Sequence, residues 1–231
     1  MGLTTSLMAR FLVRNKIQNF TTFASLLRMT TKYGFPDIRE ALVEELEGAY
    51  PTKWEDFEMA KVLGEDVFGS PKPHPNAVLN LFLEQRVIFA LPFAAYRAGL
   101  GNPFALASER PGATLPRLTL TSIIHGTGGM RRAMTYAMQT LVFTRDPEVC
   151  TEKTCVMDLG VTHTERTEAL KKVSGVIVEK SEDDPLSPLS FENLLCVGCA
   201  RQLVSAHRDC RRRLVWERLP NLIGWESWES V

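Results

Sequence analysis

Between Met130 and Leu141 the residues Met130, Ala133, Met134, Ala137, Met138 and Leu141 recur every three or four positions, the spacing that lines one face of an α-helix. That period runs through most of the chain. Phe23, Leu26, Leu27 and Met29 form one stripe and Ile38, Leu42, Val43 and Leu46 another, with Gly34 and Pro36 as punctuation between them. Pro36 suits the first turn of a helix, where its missing N–H costs nothing. Trp54 to Ala60 reads as a short amphipathic helix. Gly69 to Pro75 reads as an extended linker, because Pro71, Pro73 and Pro75 forbid a helix there. Asn76 is a favourable N-cap for a helix from Ala77 to Ala90, which is apolar almost all round and is therefore expected at the centre of the core. Pro92 opens a further helix to about Ala98, stopped by Gly99 and Gly101. The pattern predicts a mainly α protein, an irregular array of helices with little or no sheet.

Composition bounds the function classes. With 231 residues and 45% hydrophobic content the chain can bury a sizeable core, and 27 basic residues balance 27 acidic ones. A neutral chain is neither a nucleic-acid coat nor a general membrane-surface binder, so any basic patch is local. Five cysteines are too few for a disulfide scaffold, and their clustered spacing suits a reducing compartment. The most apolar stretch, Ala77 to Leu100, is interrupted by Glu84, Arg86, Pro92 and Arg97, so no membrane span is expected. The first 36 residues carry Arg10, Arg14, Lys16, Arg28 and Lys32 and no acid. That bias mimics a mitochondrial presequence, and Met1-Gly2 with Ser6 fits a myristoylation pattern. A cytoplasmic or nuclear location is the expectation, with the mitochondrion as the alternative. Asn19-Phe-Thr21 is a glycosylation sequon that needs a secretory route to matter.

One stretch imitates an enzyme. Arg117 to Ile124 fits a strand, and His125-Gly-Thr-Gly-Gly129 after it resembles an oxyanion loop or a phosphate cradle ahead of a helix. The Gly-x-Ser-x-Gly elbow, a Walker lysine and the full dinucleotide fingerprint are all missing from the sequence. A glycine turn joining two helices is the simpler reading. With four histidines and no paired carboxylates at helical spacing near them, no catalytic residue is expected.

The last third holds the cysteines. Cys150-Thr-Glu-Lys-Thr-Cys155 is followed about forty residues later by Cys196-Val-Gly-Cys199, which opens a helix expected from about Ala200 to Glu217. A helix from about His163 to Glu179 and an acidic loop around Glu182, Asp183 and Asp184 lie between the pairs. Two close pairs brought together make a closed tetrahedral Cys₄ site, which would hold a structural zinc ion at Cys150, Cys155, Cys196 and Cys199. His207 and Cys210, at i and i+3 on the following helix, are alternative ligands in place of the first pair. They could equally face the core beside Leu203, and the thiols could bind no metal. Arg208, Arg211, Arg212 and Arg213 make this helix locally basic, which invites a nucleic-acid reading. Pairing with the acidic loop explains the arginines more simply, and the aromatic platforms that stack bases do not alternate with them.

Leu26-Leu27-Arg-Met-Thr-Thr-Lys32-Tyr33-Gly-Phe-Pro36-Asp-Ile38-Arg-Glu-Ala-Leu42 resembles the terminal helices of a BTB/POZ domain, as found in the large fungal set of such proteins. Leu214-Val-Trp216-Glu-Arg-Leu219-Pro220 is similar to the ending of those members, after paired cysteines and a His- and Arg-bearing helix. The resemblance implies a dimerisation or adaptor module for cullin ubiquitin ligases or chromatin partners. A whole domain of that kind places a small sheet before this helix pair, and 22 residues precede Phe23. The expectation is therefore a truncated member lacking that sheet, without the usual homodimer and with cullin engagement reduced or lost. The expected organisation is a divergent leader at 1–22, a remnant of the BTB helices at 23–62, a Pro-rich linker at 63–75 and a helical domain at 76–231. The function expected is non-catalytic protein–protein interaction. The alternative is a zinc-stabilised nucleic-acid or chromatin regulator using the arginine helix.

Overall fold

Helices α1, Phe20–Tyr33, and α2, Pro36–Glu47, form where the two stripes predict them. A computed structural model describes residues 19–63, 68, 72–101, 117–143, 163–189 and 195–230. Asn19, which reads as part of a sequon, is the N-cap of α1, and its side chain accepts the Thr22 N–H at 2.9 Å. Gly34 ends α1 in the left-handed region at φ 68°, and the Phe35 N–H returns to the Thr30 carbonyl at 2.9 Å. Pro36 then occupies the first turn of α2.

Helix α3, Trp54–Leu63, is followed by α4, Pro75–Gln85, and α5, Leu91–Gly99, with a 3-10 turn at Ile88–Ala90 between the last two. The start of α4 differs from the expectation. His74 is the N-cap, its Nδ1 accepting the Asn76 N–H at 3.3 Å, and Pro75 rather than Asn76 opens the helix. A proline at the first helical position brings a suitable φ and lacks only an N–H that would go unused, so the helix begins earlier than the N-cap preference of Asn76 suggests. The other end comes earlier too, at Arg86, which sits at φ 53° while the Val87 N–H bonds the Phe82 carbonyl at 3.0 Å. Val78, Leu79, Leu81 and Phe82 are all buried, as the nearly all-round apolar pattern of α4 requires.

Among the described residues there are helices and turns and no strand. The stretch from Arg117 to Ile124 is not one. It is the first part of α6, Arg117–Phe143, a single 27-residue helix that runs straight through Gly126, Gly128 and Gly129. Ile123, Thr127, Met130, Met134, Met138 and Val142 form one buried line along it, and burial of that line outweighs the roughly 1 kcal/mol that each interior glycine costs. Helices α7, His163–Asp183, and α8, Val197–Cys210, follow. The chain continues from α8 as a π-helical turn at Arg211–Val215 and a 3-10 segment at Trp216–Ile223.

The chain divides into two compact units, one from Met1–Ile124 with Leu219–Val231, the other from His125–Arg218. The first is centred on aromatic rings. Tyr50 meets Phe82 edge-on at 4.9 Å and Phe93 at 6.1 Å, and Phe57 meets Phe93 at 5.7 Å. The core of the second is aliphatic and sulfur-rich: Met134 and Met138 of α6, Val173 and Ile177 of α7, and Cys199, Leu203 and Cys210 of α8 pack together. No described helix is long and apolar enough to cross a membrane.

Candidate functional site: the cysteine-bearing helix

Cys196 is the N-cap of α8, with extended backbone at φ −64° and ψ 160°, and its carbonyl accepts the Ala200 N–H at 2.8 Å. The helix therefore starts at the second cysteine pair itself, three residues ahead of the expected Ala200. Cys199, Leu203, His207 and Cys210 follow one another at four, four and three residues, and all four are buried. This is an ordinary core stripe, in which the cysteines act as small hydrophobes.

His207 and Cys210 are thus core-facing, and the structure does not assemble them with Cys196 and Cys199 into a ligand set. Among the described residues no group of three or more His, Cys, Asp and Glu side chains could hold a metal ion. Cys150 and Cys155, the other half of the expected Cys₄ site, lie outside the described residues.

The arginines differ in exposure, with Arg208, Arg212 and Arg213 exposed and Arg211 buried. Arg211 is buried and its guanidinium donates to the Leu186 carbonyl at 2.9 Å. Arg212 pairs with Glu217 at 3.4 Å, and Arg213 is exposed. The contacts to the end of α7 and the loop after it go to carbonyls and not to the expected carboxylates: Arg131 donates to that of Asp183 at 3.4 Å and Arg211 to that of Leu186. The Asp184 carboxylate is committed to the turn, accepting the Leu186 N–H at 2.9 Å and the Ser187 hydroxyl at 3.2 Å. That turn fixes the Leu186 carbonyl where Arg211 reaches it.

A groove of about 370 Å³ opens beside Cys210, lined also by Tyr136, Thr140 and Leu141 of α6 and by Ala206, Asp209 and Arg213. Burial pushes the Cys210 thiol above its ordinary pKa, and the nearby Arg213 charge pulls it down by less. The raised pKa leaves a smaller share of Cys210 as the reactive thiolate than a free cysteine has.

The glycine motif offers no alternative centre. Its backbone N–H groups lie inside a continuous helix, committed to carbonyls one turn back, and cannot form an oxyanion hole or a phosphate cradle.

Sequence reasoning missed a set of apolar side chains that face outward. Met29, Tyr33 and Phe35 are each more than half exposed, at 53%, 59% and 53%. Met29 and Tyr33 stand one turn apart on the same face of α1, and Phe35 follows as the N-cap of α2. Met29, expected in the stripe with Phe23, Leu26 and Leu27, lies outside it: the inward line of α1 is Phe23, Leu27 and Thr30, and Met29 and Tyr33 fall off that line. Compared with known proteins, the chain matches no family model, no curated protein and no solved structure.

Proposed function

We propose that the chain is a non-catalytic protein–protein interaction protein, an adaptor of the BTB kind. The observation that carries this reading is the outward face of the first helix pair. Phe23, Leu27, Leu42 and Leu46 are fully buried, while Met29, Tyr33 and Phe35, from the very segment that resembles the BTB terminal helices, are left to solvent. Exposed aromatic and methionine side chains on a well-anchored helix are what a partner surface uses: both bring large apolar area, and the aromatic rings do so at little cost in side-chain ordering. Lys32 holds its ammonium 5.2 Å from the Tyr33 ring centroid, which adds a polar margin to the patch.

Affinity capture with the tagged chain and with a Tyr33→Ser, Phe35→Ser variant tests the reading. These side chains are exposed, so the variant should keep its helical circular dichroism and its thermal midpoint. Its recovery of adaptor or chromatin proteins should fall at least about tenfold, the effect of losing a hot-spot aromatic. Equal recovery by both chains, or recovery of no such partner by either, overturns it.

A further inference from the structure

We propose that Cys196 and Cys199 are a redox-active thiol pair that closes a disulfide across the first turn of α8 by exchange with a low-molecular-weight disulfide such as oxidised glutathione. Cys196 is the N-cap and Cys199 the third helical residue, and the 2.8 Å bond from the Ala200 N–H to the Cys196 carbonyl closes the turn that contains both. Helix geometry separates their Cα atoms by about 5 Å. A disulfide spans roughly 4.4–6.8 Å between Cα atoms, so the turn can accept the bond without unwinding.

Both residues are buried, Cys199 fully and Cys196 to 7% exposure at the open end of the helix. Cys196, at the helix end and the less buried of the two, is the attacking thiol when that first turn opens, and Cys199 the resolving one. In the first step the Cys196 thiolate forms a bond to one sulfur of the oxidised glutathione, whose S–S bond breaks and releases one glutathione thiolate. In the second, the Cys199 sulfur displaces the other glutathione from Cys196. Two protein thiols are oxidised to one disulfide, one glutathione disulfide is reduced to two thiols, and the two protons pass to the released thiolates. Cys210 cannot compete within this helix. It lies eleven residues beyond Cys199, about 16 Å along the axis.

The test is equilibration of the full native chain in glutathione redox buffers, followed by acid quenching, alkylation and peptide mapping, with and without a zinc chelator. The expected result is loss of two alkylatable thiols in the chelator-treated chain, mapped to a link between Cys196 and Cys199 and restored by dithiothreitol. Half-oxidation should need less oxidant in the folded chain than in the same chain unfolded in urea, because the helix holds the sulfurs together. A Cys199→Ser variant should accumulate a glutathione adduct on Cys196. Both thiols remaining alkylatable in the chelator-treated native chain would overturn the proposal. So would a link from Cys196 to Cys150, Cys155 or Cys210, or equal oxidant demand in folded and unfolded chains. The wild-type mapping needs no substitution, so it stands even if the serine variant fails to fold.

Discussion

Gly34 and Gly129 show how one residue type serves opposite ends. Gly34 sits at φ 68°, where a Cβ would crowd the following carbonyl, and it lets the chain leave α1 and enter α2. Gly129 lies inside α6, with nothing within 4 Å of the place a Cβ would take. Gly34→Ala should therefore lower stability by about 1–2 kcal/mol, the cost of a left-handed non-glycine residue. Gly129→Ala should raise it by about 0.8–1 kcal/mol through helix propensity alone. Urea denaturation measures both, and a loss of stability in Gly129→Ala would mean that the helix is broken there. The same contrast explains what the sequence made legible at this scale. Gly34 is followed two residues later by Pro36, and together they mark a boundary by local rules. Gly126, Gly128 and Gly129 look like a loop by the same rules, but the distant burial of Thr127, Met130 and Met134 decides the matter. His74 was hidden for another reason: histidine is a rare N-cap beside a residue, Asn76, that is a common one.

Helices α1 and α2 both hold the C-terminal end of α4. Arg28 donates to both Glu84 carboxylate oxygens, at 2.8–3.1 Å, and Arg39 donates to the Gln85 carbonyl at 2.9 Å, one of the carbonyls that a helix end leaves without an intrahelical donor. The hydrogen bonds from Arg28 hold the Glu84 carboxyl below its usual pKa. A depressed carboxylate stabilises the fold above its unfolded pKa, and that contribution disappears as pH falls through the folded value. Both side chains are about half exposed, so solvent screening keeps the pair near 0.2–1 kcal/mol. Glu84→Gln should cost about that much at neutral pH and nothing once the pH is well below the carboxylate range. Urea midpoints of the two proteins should converge on acidification, and a difference that persists in acid would assign the effect to packing. At the cysteine-bearing helix the spacing of Leu203, His207 and Cys210 allowed either ligands or core, and only the packing of Met134, Met138 and Ile177 against that face separates them. The π-helical turn at Arg211–Val215 had no signal in the sequence. Its wider backbone bonding, with the Trp216 N–H returning to the Arg211 carbonyl, depends on no residue type.

At the scale of the whole molecule the helical class was legible because its period repeats over many residues, and local errors such as the strand at Arg117 do not erase it. Charge is legible at this scale as well, being a sum. Twenty-seven basic and twenty-seven acidic residues give a net charge of zero and a pI near 6.9, so long-range repulsion between copies vanishes close to neutral pH. What then governs association is short-range: oppositely charged patches, and the apolar side chains of Met29, Tyr33 and Phe35 at the surface. Solubility should pass through a minimum near pH 7 and rise on both sides, as net charge of either sign accumulates. Tyr33→Ser with Phe35→Ser leaves net charge unchanged and removes apolar surface, so it should lift the minimum without moving its pH. Precipitation by polyethylene glycol across pH 5.5 to 8.5 reads both quantities. A shifted minimum would show that buried charges change the balance on folding, and an unlifted one would place the adhesive surface away from the first helix pair.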